Sequence, residues 1–175
     1  MNLLIGNWII KLVGKISKND IDRVISRNAA VIAVGEDSYW EEVFLLFVNS
    51  TNGVSQFCIV LYSETNVIPY IVCHDSKERL IIGYNHKLAV IDLISTKIIM
   101  EKELDGIFCY AKHIDDILIV LSEIGIFILD SEYRELLNQP TDIIESFEFS
   151  GNLLLCKTYS GTHTINISKY KNTTD

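Results

Sequence analysis

The chain has 175 residues, 49% of them hydrophobic and 22% charged, with a formal net charge of −8 at pH 7. That size and composition describe one globular domain with a sizeable core and exclude a disordered segment. The acid excess works against binding a nucleic-acid backbone, and no uninterrupted apolar run approaches the roughly 18 residues needed to cross a membrane as a helix.

In chain order, Asn2–Val13 holds two apolar runs around the turn pair Gly6-Asn7, which predicts a small hairpin or one bent strand. Ser17 with Asp20 three residues on resembles a capping box, and Ile21, Val24 and Ile25 fall at helical spacing, so a short helix is predicted over Lys18–Ser26. Ala29–Gly35 reads as an apolar strand, 35–39 as a polar turn, and Glu42–Val48 as the return strand. Asn52-Gly53 then predicts a tight turn into a strand at Gln56–Tyr62. Val67–Cys73 reads as a strand carrying Pro69, which points to an edge or a bulge.

From there the chain repeats itself. Arg79–Asp92 (RLIIGYNHKLAVID) is a β-hairpin pattern, and the same grammar returns at Ile117–Asp130 (ILIVLSEIGIFILD) and Leu153–Ile167 (LLLCKTYSGTHTINI). The central apolar position steps from Ile82 to Ile119 to Leu155, and the closing polar position from Asp92 to Asp130 to Asn166. These steps of 36–38 residues approach the roughly 40 residues of a four-stranded propeller blade. Outer strands are predicted at Lys97–Leu104 and Tyr133–Leu137, and further strands at Gly106–Lys112 and Ile143–Phe149. The expected fold is mostly β, with antiparallel blade-like sheets forming a partial or half β-propeller and one short N-terminal helix. The expected organisation is a single domain over 1–175: hairpin and helix at 1–28, a degenerate hairpin unit at 29–66, and three blade-like repeats at 67–168.

A search for chemistry finds little. No glycine pattern forms a phosphate loop, and Cys58, Cys73, Cys109 and Cys156 have no metal-type spacing; they read as buried free thiols in strands. His86 and His163 lie in corresponding hairpins and could approach each other, while His74, adjacent to Cys73, points to the opposite strand face and makes no dyad. The chain therefore reads as a non-enzyme with no catalytic residue, metal or cofactor. No basic leader or cleavage site precedes the first apolar run, so a cytoplasmic location is expected.

Charge is uneven. Residues 29–156 carry 20 acids against seven basic groups, a net of −13, whereas residues 1–28 are net +3. Acids gather in turns. Residues 35–44 set Tyr39 and Trp40 among Glu36, Asp37, Glu41 and Glu42, the composition of an interface anchor, although Trp40 would equally suit packing beneath its hairpin. Asp115, Asp116 and Glu123 add acids to later turns, and Glu101 and Glu103 should share one face of a solvated outer strand.

The segments LIIGYNHKLAVIDL, ILIVLSEIGIFILD and IIESFEFSGNLLLC resemble the propeller-derived immunity proteins of bacterial polymorphic toxins, in particular those of contact-dependent growth inhibition systems. The resemblance covers about the last 100 residues. It implies a cytoplasmic protein that binds a cognate toxin, a basic nuclease by the charge, and covers its active site. It implies neither nucleic-acid nor membrane binding. The expected partner-binding residues are Glu36, Asp37, Tyr39, Trp40, Glu41 and Glu42, with Asp115, Asp116 and Glu123 as a second group. The alternatives are a propeller-like scaffold or adaptor subunit and a hydrolase using turn histidines and carboxylates.

Overall fold

The computed structural model describes residues 2–16, 18–27, 30–35, 42–54, 56–65 and 67–171. It holds sixteen strands in four sheets and one α-helix among those residues. The chain forms two compact units, Met1–Asn85 with Ala89–Glu101, and His86–Leu88 with Lys102–Asp175.

In the first unit, β1 (Asn2–Ile5) and β2 (Trp8–Lys15) form the expected hairpin, with Gly6 at φ +50° in its turn. The five-stranded sheet runs β1-β2-β4-β5-β3, where β3 is Val31–Val34, β4 Glu42–Ser50 and β5 Gln56–Ser63. One expectation is corrected here. β4 is not the return strand of β3; β3 pairs in parallel with β5 instead, at the sheet's far edge. The reason is local. The Asn52-Gly53 turn, with Gly53 at φ +71° and the Asn52 side chain accepting from Val54 N–H at 3.0 Å, folds β5 onto one edge of β4. Antiparallel β2 takes the other edge, so β3 cannot pair with β4 and joins the free edge of β5.

The two faces of this sheet are both covered. One packs Ile10, Phe44, Leu46, Ile59 and Leu61 against Leu80, Ile82 and Ile91. The other packs Val43, Leu45 and Val60 against Ile21 and Val24 of α1 (Lys18–Arg27), while the third predicted helix contact, Ile25, is exposed. Trp8 anchors the hairpin: it meets Phe57 edge-on at 5.9 Å, and its Nε1–H donates to Glu78 Oε2 at 3.2 Å.

The next sheet, β6-β7-β8-β9, is a blade-like array of β6 (Tyr70–His74), β7 (Arg79–Tyr84), β8 (Lys87–Asp92) and β9 (Lys97–Glu103). Pro69 sits immediately ahead of β6 rather than inside it, which spares the sheet a missing donor. Along β9 exposure alternates, and Glu101 and Glu103 share the exposed face. Glu101 also accepts from the Tyr84 hydroxyl at 2.7 Å, and burial, with this bond to a carboxylate, raises the tyrosine pKa.

The second unit repeats the pattern. One sheet runs β10-β11-β12-β13, of Phe108–Ile114, Ile117–Ser122, Gly125–Leu129 and Glu135–Pro140. The last sheet has three strands among the described residues: β14 (Ile144–Ser150), β15 (Leu153–Thr158) and β16 (Gly161–Asn166). Ile119, Leu121, Ile126 and Ile128 pack on Leu154, Cys156 and Ile165.

The closing residue of each repeat has one structural job. Asp92 accepts Ser95 N–H at 2.7 Å, Asp130 accepts the N–H groups of Glu132 and Arg134 at 2.8 Å, and Asn166 accepts Ser168 N–H at 3.1 Å. Each folds the chain out of the third strand of its sheet, the Asx-turn chemistry these side chains favour. That turn also explains why β13 begins later than predicted: Tyr133 is held at φ +64° and Arg134 is tied to Asp130.

Candidate functional site

Of the expected binding residues, Glu36, Asp37, Tyr39, Trp40 and Glu41 lie outside the described residues. Glu42 opens β4, half-buried and opposite Ser63. The second group is divided by the fold. Asp115 and Asp116 form the turn between β10 and β11, while Glu123 lies in the turn between β11 and β12. A strand separates them, six residues long and so about 20 Å, and they cannot share one contact patch at the tips of their sheet.

The Asp115 end is charge-paired. Asp115 is held at φ +52°, a conformation that aspartate tolerates better than most residues, and its Oδ2 lies 2.8 Å from Lys171 Nζ. Lys171 also donates to Asn152 at 3.3 Å. At the same end Asp130 pairs with Arg134 Nε at 2.7 Å.

The Glu123 end is different. Three connections meet there and are laced by backbone bonds. Glu123 N–H donates to Ile107 O at 2.7 Å, Ile144 N–H to Glu123 O at 2.8 Å, and Thr141 N–H to Ile124 O at 2.9 Å. The Ser122 hydroxyl donates to Asp105 O. Gly106 sits at φ +83°, where a Cβ would come within 2.9 Å of the Ile124 side chain, so only glycine lets the connections close up. By the β14–β15 register, in which Ile144 faces Thr158, the turn carrying Tyr159 belongs to this end too.

This rim displays apolar side chains. Ile107 is 54% exposed, Ile124 36%, Ile143 40% and Tyr159 70%. Asp105, Glu123 and Asp142 stand directly beside them, and residues 104–107, 122–125, 140–144 and 158–161 contain no lysine or arginine. Three isoleucines and a tyrosine framed by carboxylates, on a backbone-braced surface, have the makeup of a protein contact: apolar anchors with a charged border. Of these turns the sequence reading takes only Glu123 and passes over the isoleucines, although the signal is there. Asp105-Gly106-Ile107, Glu123-Ile124 and Asp142-Ile143 each put an isoleucine just after an acid in a turn, where the core gains nothing from it.

The remaining candidates do not converge. His163 meets Gln139 Nε2 at 3.0 Å through Nδ1, His113 Nδ1 lies 3.2 Å from Asp115 O, and His86 is in the β7–β8 turn. Among the described residues no group of three or more His, Cys, Asp or Glu could hold a metal ion. All four cysteines are free thiols, but contrary to the expected burial Cys73 is only half-buried and Cys109 is exposed, the latter because the register shift between Phe108 and Tyr110 takes it out of the ladder. Burial pushes the Cys58 and Cys156 thiols up to about 11, and partial desolvation of the otherwise exposed Cys109, with the nearby Glu123 carboxylate, raises it too. A cavity of about 340 Å³ lies on the fourth sheet, lined by Ser146, Phe147, Glu148, Leu155, Lys157 and Thr162. No helix is long and apolar enough to cross a membrane among the described residues.

Comparison with solved structures assigns the class of fold. HIRA(644-1017) aligns with a TM-score of 0.53 at 8% identity, covering 97% of this chain and 50% of its own. BamB from Moraxella catarrhalis aligns at 0.52 and 11% identity, covering 79% and 49%. The dihydro-heme d1 dehydrogenase NirN, in complex with DHE, aligns at 0.52 and 11% identity, covering 71% and 32%. The protein is thus a mostly β, propeller-like chain, spanning about half the length of the first two structures it resembles. No protein-family model matches it, and no curated protein matches it by sequence, so the immunity-protein resemblance gains no support there. Neighbours that include a dehydrogenase leave catalysis undecided by fold.

Proposed function

We propose that this chain is a non-catalytic protein-interaction module of propeller-like fold, a scaffold or adaptor that engages a basic partner through the rim of Ile107, Ile124, Ile143 and Tyr159. The observation that carries this reading is the exposure of four large apolar side chains on a backbone-braced surface whose four connecting segments hold acids and no lysine or arginine. Apolar contact supplies affinity, and the carboxylates speed encounter with a positive surface and reject acidic partners. The net −13 of residues 29–156 favours the same sign of partner. A basic nuclease toxin, the partner implied by the immunity resemblance, is one case of this reading, supported by charge alone.

The test is affinity capture with the whole chain from its own cells, followed by titration of the purified partner. Tyr159→Ala and Ile124→Asp should weaken binding about 30-fold each, while Asp116→Lys at the opposite end should leave it unchanged. Equal affinity in all three proteins rules out the rim. Replacing His74, His86, His113 and His163 by alanine separates binding from chemistry: loss of function in a folded protein would favour the hydrolase alternative.

A further inference from the structure

The rim of Ile107, Ile124, Ile143 and Tyr159 is built from turns that spend much of their backbone on one another. The carbonyls of Ile107, Glu123 and Ile124 accept backbone N–H groups from neighbouring connections, and that of Asp105 accepts the Ser122 hydroxyl. The Ile143 N–H donates to the Asp142 carboxylate at 2.8 Å. Gly106, at φ +83°, departs from extended backbone altogether. An incoming β-strand needs a row of unpaired N–H and C=O groups to ladder onto. Laid across this rim, it would press its own backbone against aliphatic side chains and leave those polar groups without partners, which is costly. An α-helix arrives with its backbone already hydrogen-bonded within itself.

The side chains narrow the choice further. The three isoleucines come from three separate connections, so several apolar groups must arrive together on one face to cover them. An amphipathic helix presents such a stripe at positions i, i+3, i+4 and i+7. Each isoleucine has an acid next to it or two residues before it: Asp105, Glu123 and Asp142. Asp105 and Asp142 are exposed and Glu123 is half-buried. Among the described residues none of the three carboxylates forms an ion pair, unlike Asp115 and Asp130 at the other end of the sheet. Unpaired acids beside aliphatic side chains attract lysine and arginine at close range, and they repel the anionic headgroups of a lipid surface.

We infer that the rim receives a basic amphipathic α-helix of a partner protein, with aliphatic residues along one face and lysine or arginine beside that stripe. The inference rests on the reading of the rim as the contact surface and adds the form of what binds there. The stripe covers Ile107, Ile124, Ile143 and the Tyr159 ring, and the flanking cations meet Asp105, Glu123 and Asp142.

The probe is a labelled peptide with leucine at helical spacing and lysine between, titrated against the whole chain. Its control is an isomer of the same composition with leucine and lysine in strict alternation, which can gather its leucines on one face only as an extended strand. The helical peptide should bind at least about tenfold more tightly than its isomer, and its far-UV circular dichroism should gain helix on binding. Ile124→Asp and Tyr159→Ala should each weaken it about tenfold or more, while Asp116→Lys should not. Because Tyr159 is 70% exposed, its alanine variant keeps the test valid should Ile124→Asp misfold. Replacing Asp105 and Asp142 together by asparagine should flatten the salt dependence of binding. If the alternating isomer binds as tightly and Tyr159→Ala weakens both peptides, the helix is overturned while the rim stands as a contact surface. If the helical peptide binds but neither rim variant weakens it, the helix inference falls and the rim reading falls with it. Absence of binding by the helical peptide overturns the helix alone, since the captured partner tests the rim separately.

Discussion

At one end of β11, the Asp115–Asp116 turn lies among fixed ion pairs: Asp115 with Lys171, and Asp130 with Arg134. At the other end, Glu123 and Ile124 lie among acids and exposed isoleucines without a basic residue in the four connecting segments. Both ends belong to antiparallel hairpins of the same sheet. The first uses its charge internally, to shape turns and tie down the chain; the second leaves charge and apolar surface unspent. Acidity alone is thus a poor guide to a binding surface, because a carboxylate such as Asp130 can serve its own turn, and an exposed one without apolar side chains beside it offers little affinity.

Breaking the rim should have the largest effect. Gly106→Val places a β-branched residue at φ +83° with its Cβ 2.9 Å from Ile124, and should cost about 2–3 kcal/mol in urea unfolding while disordering the rim. A protein as stable as the wild type would mean that the close approach does not matter. Next come the apolar anchors: Tyr159→Ala should cost about 2 kcal/mol of partner affinity, read by calorimetry, with little change in melting temperature.

Asp130→Ala probes the opposite end. It removes an acceptor from two backbone N–H groups and should destabilise the fold by about 1–2 kcal/mol at neutral pH. This contribution depends on pH with a defined sign. Burial alone would raise the Asp130 pKa, but the N–H groups of Arg134 and Glu132 and the Arg134 guanidinium outweigh it and hold the carboxyl below its usual 3.8. The native state therefore binds this proton less readily than the unfolded chain. The stabilisation is present above 3.8 and fades as pH falls through the depressed value. Asp92, held down by Ser95 and Arg79 against the same effect of burial, should behave alike. Acid titration of wild-type and Asp130→Asn stability should converge at low pH; curves that stay parallel would remove Asp130 as the cause. Lys171→Ala should have the smallest effect, under about 1 kcal/mol and diminishing with salt, because Asp115 is largely solvent-exposed.

Much of this protein was written in its sequence. Short continuous apolar runs separated by turn residues located the hairpins from Arg79 onward, and the spacing of Asp92, Asp130 and Asn166 marked the repeat before the shared Asx turn explained it. The short helix followed from Ile21 and Val24 at helical spacing. These signals are legible because they act over a few residues: turn chemistry, side-chain alternation and helical period are local. What only the tertiary structure decided was adjacency. It put β3 beside β5 because both edges of β4 were already taken, set Asp115 and Glu123 at opposite ends of one strand, and brought Ile107, Ile124 and Ile143 together from three separate connections. Such placements depend on which edges and faces remain free once neighbouring strands have paired, a competition among distant segments that no single stretch of chain records.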